Sequence, residues 1–159
     1  MTQNQNLKIY LASPLGFTES TKEFMEGMVK ILELKDFEVL NPWTFISDNE
    51  FKKAEEIKDI DKRREEFKKI DKKIAKDNED AIRESDMLFA ILDGTDVDSG
   101  TASEIGFAFG LGKKIYGYRG DFRQSGDNEG VIINLQVQHW IEESGGRIFF
   151  SINEIKEEL

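Results

Sequence analysis

The chain has 159 residues, 38% of them hydrophobic with 12 Phe, and a formal net charge of −10. That length and apolar content suffice for one domain, residues 1–159, with a sizeable core, and argue against disorder. There is no cysteine, which excludes a disulfide framework, a thiolate metal site and a cysteine nucleophile. The acidic excess disfavours a polynucleotide partner, whose backbone calls for clustered Lys and Arg. It is unevenly spread: Glu50–Asp80 holds 11 Lys/Arg against 11 Asp/Glu, so the whole excess lies elsewhere. No apolar run approaches the roughly 20 residues of a membrane span, so no membrane partner is expected. The polar start, Met1–Asn6, has no signal-peptide character, and the missing cysteines suit a reducing compartment. A cytoplasmic location is the expectation.

In chain order, Leu7–Ala12 reads as a first strand, stopped by Ser13 and Pro14. Thr18–Leu34 carries Phe24, Met28, Ile31 and Leu32 at helical spacing. Phe37–Leu40 is a short second strand before Asn41 and Pro42. The neutral segment places Ile57, Ile60, Phe67, Ile70 and Ile74 on a narrow stripe, which predicts one or two long solvated helices. That stripe reads first as a plain surface helix, with a contact between copies as the alternative. Met87–Leu92 is a buried strand, Thr101–Leu111 a helix with Gly112 as its stop, and Lys113–Tyr118 a fourth strand. A polar loop leads to a helix over Ile133–Ile141, a short strand at Arg147–Phe150 and a final helix from Ile152. Strands alternating with helices give a parallel sheet with right-handed crossovers. The expected fold is an α/β flavodoxin-like five-stranded parallel sheet, order 2-1-3-4-5, with helices on both faces. Its switch point lies between the first and third strands, where such sheets place their ligands.

The loop after the third strand, Asp93–Gly106, concentrates Asp93, Asp96, Asp98 and Glu104 at that switch point. Crowded carboxylates repel, which raises the pKa of some and marks candidates for acid, base or nucleophile. Other signals fail on spacing. Gly110–Lys114 follows a helix and lacks the form of a phosphate loop. Asp96–Gly100 opens like a calcium loop, but its twelfth position is Phe107. His139 is the only histidine, so triad and zinc chemistry have little support. Glu104 has two readings: Thr101–Glu104 fits a capping box, and the same carboxylate at a helix start can face the crevice as a reacting group.

Ile9–Phe17, Asp98–Gly106 and Ile133–Leu135, in that order on matching elements, resemble the nucleoside 2-deoxyribosyltransferase family, and Asp121–Glu129 resembles a loop found in part of it. The resemblance implies the flavodoxin-like fold, exchange of nucleobases on 2′-deoxyribonucleosides through a covalent deoxyribosyl-enzyme, a place in nucleoside salvage, and no cofactor or metal. It implies Glu104 as nucleophile, Asp98 as the residue that holds and protonates the leaving base, and Tyr10 as the orienter of Glu104. Ser13, Phe17, Trp43, Asn78, Asp93 and Gly100 are expected in the substrate pocket, with Asp77 an alternative to Asn78. Asn134 is expected to reach the sugar of a neighbouring subunit, which implies a homo-oligomer with shared sites. Its other reading is a helix cap. The expected partners are 2′-deoxyribonucleosides and free purine or pyrimidine bases. Two alternatives stand beside transfer: an N-glycoside hydrolase of deoxynucleosides or their 5′-monophosphates, and a non-enzymatic nucleotide-sensing module. A single Ser13 at the first loop, where a phosphate would want several donors, favours the nucleoside.

Overall fold

The computed structural model describes residues 6–45 and 47–159. Residues 1–5, within the polar start, lie outside the described residues. Five strands, β1 (Lys8–Ala12), β2 (Glu38–Leu40), β3 (Met87–Ile91), β4 (Lys114–Tyr118) and β5 (Ile148–Phe149), form one all-parallel sheet in the order 2-1-3-4-5. Among the described residues six α-helices accompany them: α1 (Lys22–Glu33), α2 (Asp48–Glu55), α3 (Ile60–Glu84), α4 (Ser99–Gly110), α5 (Leu135–Glu143) and α6 (Ile152–Glu158).

Alternation along the strands divides the core in two. Tyr10 and Ala12 of β1 join Leu88, Ala90 and Ile115 on one face, packed against Ile82 of α3, Ile105 and Ala108 of α4, and Val137 and Ile141 of α5. Ile9 and Leu11 join Phe89, Ile91 and Phe149 on the other, packed against Met25, Met28 and Leu32 of α1 and Ile155 of α6. The register sets Tyr10 beside Leu88 and Ala12 beside Ala90, so the carboxyl ends of β1 and β3 emerge side by side. The flavodoxin-like fold read from the sequence is the fold observed.

Two of the boundaries that differ from the sequence reading bear on the site. The expected helix from Thr18 begins as two 3₁₀ turns, Leu15–Phe17 and Glu19–Thr21, and α1 starts only at Lys22. Thr18 and Thr21 hydroxyls bond each other at 2.7 Å, and Thr21 also donates to the Thr18 carbonyl, local bonds that compete with a regular helix. The second difference matters more. α4 starts at Ser99 rather than Thr101, because Asp98 is its N-cap and accepts the Thr101 N–H at 3.0 Å. At the other end Gly112 is the stop expected of it. Its φ is +72°, Gly112 N–H reaches the Phe109 carbonyl and Lys113 N–H the Ala108 carbonyl, the paired bonds of a Schellman motif.

The neutral segment becomes α2 and α3, packed on each other and tied by Lys73–Glu50 at 2.8 Å. Of the five stripe residues Ile57, Ile60, Phe67, Ile70 and Ile74, Ile70 alone is buried and Ile60 is exposed. No described helix is long and apolar enough to cross a membrane.

Candidate active site

Glu104 lies in the second turn of α4, on the face turned toward β1 and α3. The hydroxyl of Tyr10, from the middle of β1, donates to Glu104 Oε1 at 2.7 Å. Asn78, from the third quarter of α3, places its Nδ2 3.5 Å from the same oxygen. Three elements distant in sequence thus converge on one carboxylate. With the N-cap at Asp98, Thr101 is the third residue of the helix, and the capping-box reading of Glu104 is corrected: its carboxylate serves Tyr10 and Asn78 instead. The capping role belongs to Asp98.

The electrostatics follow from this burial. Desolvation pushes the Glu104 carboxyl up to about 7; the Tyr10 hydrogen bond pulls it back, and the Asp98 charge adds to the rise. Burial, reinforced by the Glu104 charge, also raises Tyr10, which is fully buried and stays a protonated donor. In the free protein the marked shift falls on Glu104. Both bonds of Asp98, from the Thr101 amide and hydroxyl, use Oδ2, which leaves Oδ1 for a ligand. A side chain at Gly100 would come within 3.0 Å of that capping oxygen. Asn78 Oδ1 is buried without a partner among the described residues.

The first loop supplies aromatic surface. Phe17 meets Trp43 edge-to-face, centroids 4.5 Å apart at 84°, with Phe17 78% and Trp43 37% exposed. Trp43 donates its indole N–H to the Ser13 carbonyl at 3.0 Å and lies so close over Gly16 that any Cβ there would enter the ring. Ser13 itself turns inward, its hydroxyl accepting the Leu15 N–H and contacting Met25 Sδ on the α1 side. Trp43 also borders a groove with Lys22, Glu26 and Lys30, whose lining includes none of Tyr10, Asn78, Asp98 or Glu104.

The remaining expected residues fall elsewhere. Asp93 Oδ1 accepts the Asp121 N–H at 2.9 Å, clamping the loop after β4 to the loop after β3. Asn134 is the N-cap of α5, accepting the Gln136 and Val137 N–H groups. It lines a shallow cleft with Asp96, Val97, Ala102, Ser103 and Trp140. Successive helical residues turn by about 100°, so Ala102 points roughly opposite to Glu104 and Ser103 to the side, and the cleft Asn134 shares with them lies off a different face of α4. Sequence reasoning missed Arg119, which is 1% exposed and hydrogen-bonded to both loops. Its only signal was a basic residue directly after an apolar strand.

A half-buried carboxylate held by a tyrosine hydroxyl, at the carboxyl edge of a flavodoxin-like sheet, defines a small α/β protein whose candidate site lies at its switch point. Residues 9–136 match the nucleoside 2-deoxyribosyltransferase family. The chain belongs to that enzyme family. Among solved structures it is similar to a conserved protein from Enterococcus faecalis V583 (26% identity, TM-score 0.69, covering 96% of this chain and 99% of that one). It is also similar to a 2-deoxyribosyltransferase from Bacillus psychrosaccharolyticus (26%, TM-score 0.62, 96% and 92%). A CMP N-glycosidase from Clostridium botulinum shares the fold (23%, TM-score 0.56, 95% of each chain). No curated protein sequence matches the chain.

Proposed function

We propose that this protein exchanges nucleobases on 2′-deoxyribonucleosides through a deoxyribosyl ester of Glu104. The observation that carries the reading is the part-buried 2.7 Å bond from Tyr10 to Glu104, with the carboxyl raised to about 7. In the first step, from the form in which Glu104 is ionised and Asp98 carries a proton, Glu104 Oε bonds to C1′ as the C1′–N bond breaks, and the base leaves with the electron pair and that proton. The transition state is oxocarbenium-like, and a carboxylate beside C1′ stabilises it before trapping it. Tyr10 donates to one oxygen and holds the other toward the sugar. A second base then displaces Glu104, and its surplus proton returns to Asp98. Two displacements retain configuration. A value near 7 keeps Glu104 partly ionised at neutral pH and more basic, hence more nucleophilic, than an ordinary carboxylate. Phe17 and Trp43 offer the flat apolar surface a base stacks on.

The reading includes a homo-oligomer. Asn134 caps α5 through its oxygen, so its amide nitrogen can donate to the 5′-hydroxyl of a sugar held by a neighbouring copy. Its position across α4 from Glu104 supports service to another chain's site rather than its own. The inward-turned Ser13 hydroxyl supports a nucleoside over a 5′-monophosphate, because it is not presented to a phosphate. Incubation with thymidine and adenine, followed by chromatography, tests the proposal. Deoxyadenosine is the expected product; free deoxyribose would make the protein a hydrolase, and unchanged thymidine would refute the enzymatic reading.

A further inference from the structure

Arg119 is the buried charge that this chemistry leaves unused. It follows β4 directly and leads the fully buried side chains by volume. Nη1 donates to the Leu92 carbonyl at 2.5 Å; Nη2 donates to the Gly94 carbonyl at 3.2 Å and the Arg123 carbonyl at 2.7 Å, and lies 3.4 Å from the Ser125 hydroxyl. Nε has no partner among the described residues. Leu92 and Gly94 flank Asp93 at the start of the acidic loop, whereas Arg123 and Ser125 belong to the loop after β4. One guanidinium therefore joins two loops.

A buried cation is costly and persists where its fork satisfies acceptors that no neutral group could reach together. A parallel tie runs beside it: Asp93 accepts the Asp121 N–H, and Asp121 is ion-paired with Arg123, whose carbonyl Arg119 holds. The joint extends at both ends. The acidic loop runs on to Asp98, the cap of α4. The other loop bonds Ser125 N–H to the Ile132 carbonyl and Asp127 Oδ2 to the Leu135 N–H, at the start of α5.

We infer that Arg119 is a positioning residue for base departure, holding loop 93–98 at the spacing in which Asp98 meets the base leaving C1′. The chemistry rests on the reading of Glu104 and Asp98 above; the joint does not. Arg119→Lys keeps the charge and loses the fork, and Arg119→Gln loses the charge and keeps a smaller amide. Ile155→Ala, on the opposite face of the sheet, serves as a control of lowered stability. Amide hydrogen exchange on each folded protein should show residues 93–98 and 119–126 losing protection together in the Arg119 variants alone. Base release from thymidine should fall roughly 10–100-fold, as expected when a catalytic group is misplaced by about 1 Å. An aryl 2-deoxyriboside with a nitrophenolate leaving group, which departs without a proton, should change by no more than about threefold. Equal losses on both substrates, unchanged protection of loop 93–98, or failure of both Arg119 variants to fold would overturn the inference and leave Arg119 a structural residue. A wild type inactive on both substrates would sink the reading of Glu104, while the exchange measurement still decides the joint.

Discussion

Tyr10→Phe removes one oxygen from a fully buried ring and one hydrogen bond from Glu104. The ring keeps its packing among Ala12, Leu88 and Ile105, so the fold should survive. What changes is the carboxylate. Burial drives Glu104 up to about 7 against the pull of the Tyr10 donor, so without that donor it rises further. A hydrogen bond to a charged group is worth about 1.5–3 kcal/mol and one pH unit about 1.4 kcal/mol, so the rise is about one to two pH units. The nucleophile acts ionised, and the acid limb of kcat/KM should move up by the same amount. Near pH 6.5 the variant should lose roughly 10–100-fold, and most of that should return by about pH 9. Initial rates of base exchange across pH, with circular dichroism at each point, measure this. An acid limb that stays in place, or a loss uniform across pH, refutes the coupling of Tyr10 to Glu104.

Glu104 should also write its titration into stability. Its carboxyl titrates at 4.5 when unperturbed and at about 7 in the fold, so between these values the native state holds the extra proton. Its contribution to stability is then largest below 4.5 and is lost as pH rises through 7, by up to about 3 kcal/mol. Glu104→Gln should flatten that fall in denaturant titrations while abolishing exchange; a fall of undiminished size would place the titration elsewhere. Asp98→Asn preserves a capping oxygen and should keep the melting temperature, whereas Asp98→Ala should cost about 1 kcal/mol. Asp98→Asn should nonetheless slow natural nucleosides by about 10²–10⁴-fold and spare leaving groups that need no proton; equal losses would reduce Asp98 to its capping role. Inactive Glu104→Ala and Asn134→Ala proteins, mixed so that subunits exchange, should regain partial activity. Demonstrated exchange without recovered activity would leave Asn134 only the cap of α5.

The alternation of Tyr10 and Ala12 against Ile9 and Leu11, and the apolar run of β3, were enough to order the sheet, because strand periodicity reports both faces at once. The start of α4 was not legible. Asp98, Ser99 and Thr101 are all good N-caps within four residues, and local pattern cannot rank them. The sheet decided, by setting where β3 ends and which turn of α4 meets Tyr10. Local pattern left the two readings of Glu104 open for the same reason: its partners, Tyr10 and Asn78, lie 94 and 26 residues away. The tertiary structure also selects Asn78 for that contact, where the sequence leaves Asp77 as an alternative. Arg119 escaped notice because a lone arginine after a strand ordinarily points to solvent. Its burial depends on carbonyls offered by two loops, which no spacing encodes. The direction of the Ser13 hydroxyl was equally invisible, since a serine before proline gives no sign of which side of the sheet it faces.

The central claim is that Glu104 becomes covalently attached to the sugar. Mass spectrometry of the intact protein and its peptides, after mixing with a deoxynucleoside analogue whose glycosyl ester breaks down slowly, tests it most directly. The account predicts one sugar mass on the peptide carrying Glu104, removed when a second base is added. A sugar on another carboxylate, or steady base exchange with no adduct at any time, would contradict it.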